Sequence, residues 1–343
     1  MEILGGQAVQ AQRLLAQFRQ EPMLAMTFLP FDARLPSWLA GMRYLRTVCR
    51  FLLYLPRILA HILRQDIVHV FSASYWSYTL FALPPMLMGR LLGKKVILNY
   101  RSGEADDHLS NWRSAIPTLR LAHVIVSPTP YLVDVFARFG IRITSIPDIL
   151  DTAHFRYRPR RRLRPAFMTN RILEPLYNVS CILRAFEIIQ ERYPDASLTI
   201  AHDGICRPQL EALARELGLR NTQFVGRVPH SAVADLYDAA DIYVTSPNLD
   251  CLPGSILECY VCGLPVIATK AGGIPYMLTH EQTGLLVDLN DHQAMAASAF
   301  RLLEDEALVE RLTSNGLREC EKYRGGPVRE AWVGLYRRLA GAN

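Results

Sequence analysis

Long hydrophobic runs are scarce in this 343-residue sequence. The most apolar stretches, FLLYLPRILAHIL and YTLFALPPMLMG, are cut by Arg57 and by Pro84 and Pro85. Both fall short of the ~20 apolar residues that a bilayer-spanning helix needs. Cysteine is sparse too: seven residues, an odd number, behind a start (MEILGGQAVQAQRLLAQF) with no basic segment followed by an apolar core. Such a sequence is expected to lack a signal peptide and a disulfide framework and to work in a reducing, cytoplasmic compartment. Cys259 and Cys262 form one Cys-x-x-Cys with no second pair or His pair nearby, which reads as two small buried helix residues rather than a zinc site. Asp-x-Asp, His-x-x-x-His and carboxylates clustered at metal spacing are missing, so no metal and no resident cofactor are expected.

Acid is missing locally. Leu35 to Gln65 holds no Asp or Glu, while Arg43, Arg46, Arg50, Arg57 and Arg64 interleave with Trp38, Tyr44, Phe51 and Tyr54. A helix of that pattern either lies in a lipid headgroup layer, with its aromatics at the boundary, or packs its apolar face on a sheet and leaves Arg in water. Over the whole chain, residues 1–170 carry 22 Lys and Arg against 10 Asp and Glu, and the rest carries 16 against 22. The basic half suits either an anionic partner, with anionic membrane at the inner face meeting residues 35–65, or helix faces whose arginines are simply solvated, and the sequence leaves both readings open. Nucleic acid is not expected, since no reader motif accompanies the charge.

What is present is strand-helix alternation, twice over, in a chain that is 50% apolar and so has material for two cores. DIVHVF (66–71), KVILNY (95–100), HVIVSP (123–128) and ITSIP (143–147) read as buried parallel strands, with helix-like segments such as PYLVDVFARFG between them. The second half offers AFMTN (166–170), ASLTIAHDG (196–204), TQFVGRV (222–228), DIYVTSP (241–247) and PVIAT (265–269) as strands. Its helices are expected at 178–193, 207–217, 231–239 and 254–262. The expected fold is α/β, with two Rossmann-like doubly wound parallel-sheet domains and a ligand crevice at the strand C-termini. The first domain is expected over residues 1–155, a basic linker over 156–165, the second domain over 166–325, and a closing helix over 326–343 that returns toward the first domain.

The window 246–287 carries the chemistry. After strand DIYVTSP, a loop bears Asp250, and Pro253, Gly254 and Ser255 open a helix with Glu258 about one turn in. Free amides at a helix start, two acids eight residues apart and a polar loop suit a hydroxyl-rich, anionic ligand. Ser255-x-x-Glu258 is equally the pattern of a capping box, in which Glu258 would only close the helix start.

Asp250-x7-Glu258, followed by CGLPVIAT, AGGIP and TGLLV, resembles the donor-site signature of glycosyltransferase family 4, retaining enzymes of the GT-B fold with two domains facing a central cleft. The resemblance continues through LTIAHDG, FVGRV, LYDAADIYV, GGQAVQAQRLL, DIVHVFSASYWS and NYRSGEA, nearly the whole chain. It implies transfer of a sugar from a nucleotide diphosphate sugar to a saccharide or lipid-linked acceptor, without a divalent metal. It assigns Glu258 to the ribose, Asp250 with the amides of Leu252, Pro253, Gly254 and Ser255 to the transferred sugar, and Arg171 to the diphosphate. Gly204 and Arg227 would line the base, and Gly5 and Gly6 the first domain's approach to the phosphates. Arg101, Ser102, Gly103 and Glu104 would stand on the acceptor side.

Four departures accompany the resemblance. Asp250 replaces the usual Glu, and Leu176-Tyr177-Asn178 stands where the family places a second phosphate-binding Lys. Losing such a contact costs about 1.5 to 3 kcal/mol unless Arg227 or Lys270 takes it over. Arg101 stands where many members carry His, which favours an acidic acceptor or impaired catalysis. Only Met1 to Leu4 precede the Gly-Gly loop, so the first domain is expected to lack its first strand. The alternatives are a catalytically silent GT-B relative that binds nucleotide sugar or a partner, and, from the alternation alone, a nicotinamide-dependent oxidoreductase. The latter would need G-x-G-x-x-G after a first strand, which is missing.

Overall fold

The structure, a computed structural model, describes residues 6–18, 21, 24–30 and 43–341. Its contacts divide the chain into two compact units, one formed by residues up to Ile149 together with those from Gly325 onward, the other by Leu150–Arg324.

The first unit contains α1 (Gly6–Phe18), α2 (Arg43–Ile62), β1 (Ile67–Ser72), α3 (Tyr75–Ser77), α4 (Leu83–Leu91), β2 (Lys95–Tyr100), α5 (Ala105–Asn111), α6 (Ala115–Leu119), β3 (Val124–Ser127), α7 (Pro130–Arg138) and β4 (Thr144–Ser145). Its four strands run parallel in the order β1-β2-β3-β4. KVILNY is buried at every position after Lys95, as a strand covered on both faces must be. The local signals that start and stop helices are visible in α7. Thr129 caps it by accepting the Tyr131 amide at 3.3 Å, Pro130 supplies the first turn, and Gly140 at φ +70° ends the segment.

Among the described residues β1 pairs with β2 alone. Along its other edge lies a cavity of about 750 Å³ lined by Leu14, Leu24, Phe28, Ile62 and Val70 among others. The expectation of a missing first strand falls on Met1 to Gly5, which lie outside the described residues.

The second unit contains β5 (Ala166–Thr169), α8 (Val179–Arg192), β6 (Ser197–Ala201), α9 (Arg207–Glu216), β7 (Thr222–Gly226), α10 (His230–Ala239), β8 (Ile242–Thr245), α11 (Gly254–Cys262), β9 (Val266–Thr269), β10 (Leu285–Val287), α12 (His292–Glu304) and α13 (Glu306–Glu319). All six strands are parallel, in the order β10-β9-β8-β5-β6-β7. The alternation of strand side chains divides the core: Phe167, Ile242 and Val244 face α8 and α12, while Met168 and Tyr243 face α11. From β5 the chain winds to β6 on one side and later returns to β8 on the other. The loops leaving β5 and β8 therefore diverge, and this is the switch point at which an open parallel sheet holds its ligands.

Two sequence expectations are corrected. The basic run 156–165, expected as a linker between domains, falls inside the second unit, which takes in Leu150–Arg324. Asp241 is 2% exposed, and its carboxylate takes hydrogen bonds from Arg158 and from Arg164 Nε at 2.9 Å. Arg160 is itself buried and donates to the carbonyls of Tyr237 at 2.7 Å and Ala240. The arginines are thus the glue that fastens this segment below β8. The second correction concerns Tyr54. Together with Ile58 and Ile62 it turns inward, against Leu29, Val68 and Met88, so it does not stand at an outer boundary. Trp38 of that stretch lies outside the described residues, as do the side chains of Arg43, Tyr44 and Arg46.

The last helix, α14 (Gly325–Ala340), belongs to the first unit. Trp332 and Leu335 are buried there and Leu339 packs beside them, with Trp332 4.7 Å from the ring of His69. The Tyr336 hydroxyl lies 2.8 Å from His69 Nδ1. Burial, helped by Arg101, holds His69 neutral, with its pKa lowered to about 3.

Candidate functional site

The switch point of the second unit brings together two side chains 79 residues apart. Arg171, in the loop after β5, forms an ion pair with Asp250, in the loop after β8, and both are largely buried. The guanidinium lies over the ring of Tyr177, 4.4 Å from its centroid, so an aromatic face supports the arginine in the stretch where a lysine was expected. Arg171 Nε is buried and finds no acceptor among the described residues. Burial opposes the charge, and Asp250 more than compensates, leaving the guanidinium's pKa raised.

The glycines after β9 explain how Asp250 is held. A Cβ on Gly272, at φ +51°, would stand 2.3 Å from the Asp250 carbonyl oxygen, and one on Gly273 would stand 1.9 Å from that of Cys251. The Gly273 amide donates to the Asp250 carbonyl at 2.8 Å. Only glycine lets the two backbones touch in this way.

A second set surrounds Glu258. The hydroxyl of Tyr237 donates to Glu258 Oε2 at 2.8 Å and accepts from Asn170 Nδ2 at 2.7 Å. Tyr243 donates to Asn170 Oδ1 at 2.8 Å, and its oxygen lies 2.9 Å from Ser255 Oγ. Asn170 precedes Arg171, so the two sets share one loop. Both tyrosines are fully buried, and burial, with Glu258 second for Tyr237, raises their pKa values. They remain protonated donors at neutral pH.

This network decides between the two readings of Ser255-x-x-Glu258. The helix starts at Gly254, its cap position is Pro253, and no side chain caps it. Ser255 and Glu258 point their polar atoms at tyrosines and form no capping box. Gly254 is exposed, and a Cβ there would meet nothing within 4 Å. The Gly254 position at the start of α11 thus borders open space, and no side chain caps the helix there.

Other expected residues are placed differently. Gly204 is pressed against the Arg171 loop, where a Cβ would lie 2.3 Å from the Leu173 carbonyl oxygen, and Leu173 exchanges hydrogen bonds with Asp203 and Cys206. Arg227, beyond β7, is exposed and joins neither set. Lys270 is engaged by Asp288 at 2.8 Å. Gly6 begins α1 in the first unit, and Gly5 lies outside the described residues.

Among the residues expected on the acceptor side, Ser102 Oγ accepts the Glu104 amide at 3.3 Å, and Gly103 sits in the turn before α5. Arg101 grips Asp148 through both terminal nitrogens, Nη1 at 2.6 Å, and lies 5.7 Å from the centroid of Phe71. The expectation that Arg101 favours an acidic acceptor meets a guanidinium already neutralised by a carboxylate. Among the described residues no group of three or more His, Cys, Asp or Glu is placed to hold a metal ion.

Asn170, Tyr237 and Tyr243 went unnoticed as site residues. Their signal was present, a polar residue beside Arg171 and two tyrosines in LYDAADIYV, but tyrosines on a helix and a strand read as core.

Residues 164–319 match the family of glycosyl transferases, group 1. The chain is 32% identical over 176 residues to the D-inositol 3-phosphate glycosyltransferase of Corynebacterium urealyticum, covering 49% of this chain and 41% of that protein. It is 31% identical over 159 residues to the lipopolysaccharide core biosynthesis glycosyltransferase LpsD of Rhizobium meliloti, covering 46% and 45%. The chain spans about half the length, or less, of these relatives. Among solved structures, sucrose-phosphate synthase from Thermosynechococcus elongatus shares the fold with TM-score 0.75 at 18% identity, over 99% of this chain and 94% of that one. HepE of Anabaena, in complex with UDP and glucose, does so with TM-score 0.71 at 16% identity, over 82% and 80%.

Proposed function

Proceeding from a GT-B fold whose residues 164–319 match the group 1 glycosyl transferases, we propose that the chain is a retaining glycosyltransferase of the family 4 type. It would move a hexosyl group from a nucleotide diphosphate sugar to a saccharide or lipid-linked acceptor without a resident metal. The observation that carries this reading is the convergence of Arg171 with Asp250, and of Glu258 with Asn170, Tyr237, Tyr243 and Ser255, at one switch point.

Each group has a chemical task there. Arg171 has five donors in a planar fork, so a diphosphate can share it with Asp250 and give Nε the acceptor it lacks. Glu258 keeps acceptor capacity beyond its bond from Tyr237, which suits the two hydroxyls of a ribose. Asp250 and the first amides of α11 suit hydroxyls of the transferred sugar. In the transfer, the bond from the anomeric carbon to the diphosphate oxygen breaks while a bond to the acceptor's hydroxyl oxygen forms on the same face. The acceptor's proton passes to the departing phosphate oxygen, and Arg171 with the α11 amides offsets the charge that develops there.

A protein that binds donor without transferring it is the second reading, favoured by Tyr177 in the expected lysine's stretch and by the Arg101–Asp148 pair. Calorimetric titration with UDP, the nucleotide held by HepE, and with GDP, ADP and their sugar conjugates separates the cases. Arg171→Ala and Glu258→Ala are each expected to weaken nucleotide binding about ten- to a hundredfold. Asp250→Asn should bind the nucleotide as well as or better than the original chain, because Arg171 is released, while losing transfer and donor hydrolysis. No binding of any of these nucleotides by a folded chain overturns the donor site, and binding with no transfer or hydrolysis favours the second reading.

A further inference from the structure

Two adjacent helices of the first unit turn leucines into water. On α2 and the turn after it these are Leu52, Leu53, Leu59 and Leu63, and on α4 and its end Leu87, Leu91 and Leu92, between 36% and 77% exposed. Single exposed leucines need no explanation, but seven on neighbouring helices form a patch. The inner faces are accounted for. Tyr54, Ile58 and Ile62 of α2 pack with Met88 of α4 and Val68 of β1. A Cβ on Gly89 would be 3.0 Å from Val96, so α4 lies tight on the sheet and its outer leucines have no way inward.

The charge around the patch is of one sign. Between Asp32 and Glu104 the chain has ten Lys and Arg and a single acid, Asp66. On α2 Arg57, exposed, falls beside Leu53, roughly 120° or more round the helix from the Leu52–Leu59–Leu63 stripe. Arg64, also exposed, follows the helix at the rim of the cavity, and Arg90, Lys94 and Lys95 mark the end of α4. Among the described residues Arg57, Arg64, Lys94 and Lys95 form no ion pair with a carboxylate, whereas Arg90 meets His123 at 2.7 Å. A twofold contact between copies would set these cations against one another. No helix among the described residues is long and apolar enough to cross a membrane.

We propose that the outer face of α2 and α4 is a docking surface for an anionic lipid bilayer, with the seven leucines entering the headgroup boundary and Arg57, Arg64, Lys94 and Lys95 meeting lipid phosphates. The pattern is that of an interfacial amphipathic helix, doubled by a neighbour that sequence reading of residues 35–65 did not include. The surface lies within the first unit and does not depend on the donor site.

The test is flotation of the full chain with phosphatidylcholine vesicles, with and without phosphatidylglycerol, at low and high salt. Binding is expected with phosphatidylglycerol only and is expected to fall with salt. Arg57→Gln with Arg64→Gln should weaken it roughly tenfold or more, at about 1 kcal/mol per cation near the surface. Leu59→Gln with Leu91→Gln should abolish it while leaving the circular dichroism melt in place, since both side chains are exposed. Failure of the original chain to float with phosphatidylglycerol overturns the proposal, as does flotation that survives both pairs of substitutions. A dimer in sedimentation velocity that Leu59→Gln with Leu91→Gln dissolves also overturns it, by making this face a contact between copies.

Discussion

Gly272 and Gly273 do at the residue scale what no side chain can: they let the β9 loop lie directly under the backbone of Asp250 and Cys251. A methyl group on Gly273 would fall 1.9 Å from a carbonyl oxygen, well inside contact distance. Gly273→Ala should therefore cost about 2 kcal/mol or more in urea unfolding and disturb Asp250 as well. Gly254→Ala, with open space around it, should stay within about 0.5 kcal/mol of the original. Equal losses at the two positions would show that close approach is not the reason for the glycine pair. Tyr177 belongs at the same scale. Its ring supports the Arg171 guanidinium from one side, a contact that adds no charge but restricts where the arginine can point.

At the scale of elements, α11 and the segment before β5 are fastened by buried polar groups as well as by apolar packing. α11 brings Ser255 and Glu258 to two tyrosines, one from α10 and one from β8, and so is rotationally fixed against the sheet. Below β8, Asp241 collects Arg158 and Arg164. Burial raises its pKa, and the hydrogen bonds from those arginines more than reverse this, so that it falls from 3.8 to about 2. A carboxylate with a depressed folded value adds stability that is complete above about pH 4 and is lost as pH falls toward 2. The difference here is on the order of 2 kcal/mol. Urea unfolding from pH 6 down to pH 2 should show this share of acid sensitivity in the original chain and not in Asp241→Asn. At neutral pH the same substitution should cost roughly 3 to 5 kcal/mol, because Arg158 and Arg160 stay where they are without their carboxylate. A neutral-pH stability unchanged by Asp241→Asn would sink the account.

For the whole molecule, two units with separate cores are expected to report separately on heating. The groups proposed for the donor, Arg171, Asp250 and Glu258, all belong to Leu150–Arg324, and so does Asp241. Scanning calorimetry should resolve two transitions, with Asp241→Asn lowering one of them. UDP should raise that same transition, by about 2.7 kcal/mol of added stability at a hundred times its dissociation constant. A rise confined to the other transition would place the nucleotide in the first unit. The leucine face of α2 and α4 belongs to that first unit, so vesicle binding and nucleotide binding should be separable by substitution.

Much of the architecture was legible before any coordinates. KVILNY and residues 254–262 were placed at their observed bounds, because buried parallel strands are continuous apolar runs and because Pro-Gly-Ser opens a helix that Gly263 closes. Asp250 and Glu258 stand out by position, in a loop after a strand and one turn into a helix, whereas Arg171 at a strand end reads on its own as a solvated side chain and is assigned only by the resemblance. Sequence alone determined the strand-helix alternation and the two-domain plan. The tertiary structure decided how the charges pair. A linear sequence cannot show that Arg158, Arg160 and Arg164 fold back on Asp241, that Arg101 is spent on Asp148, or that Glu258 answers to Tyr237 and not to its own helix start. Nor can it show that the leucines of α2 stay exposed while Tyr54 turns inward. Each of these rests on contacts between segments far apart in sequence, and such contacts exist only once the sheets have ordered their strands.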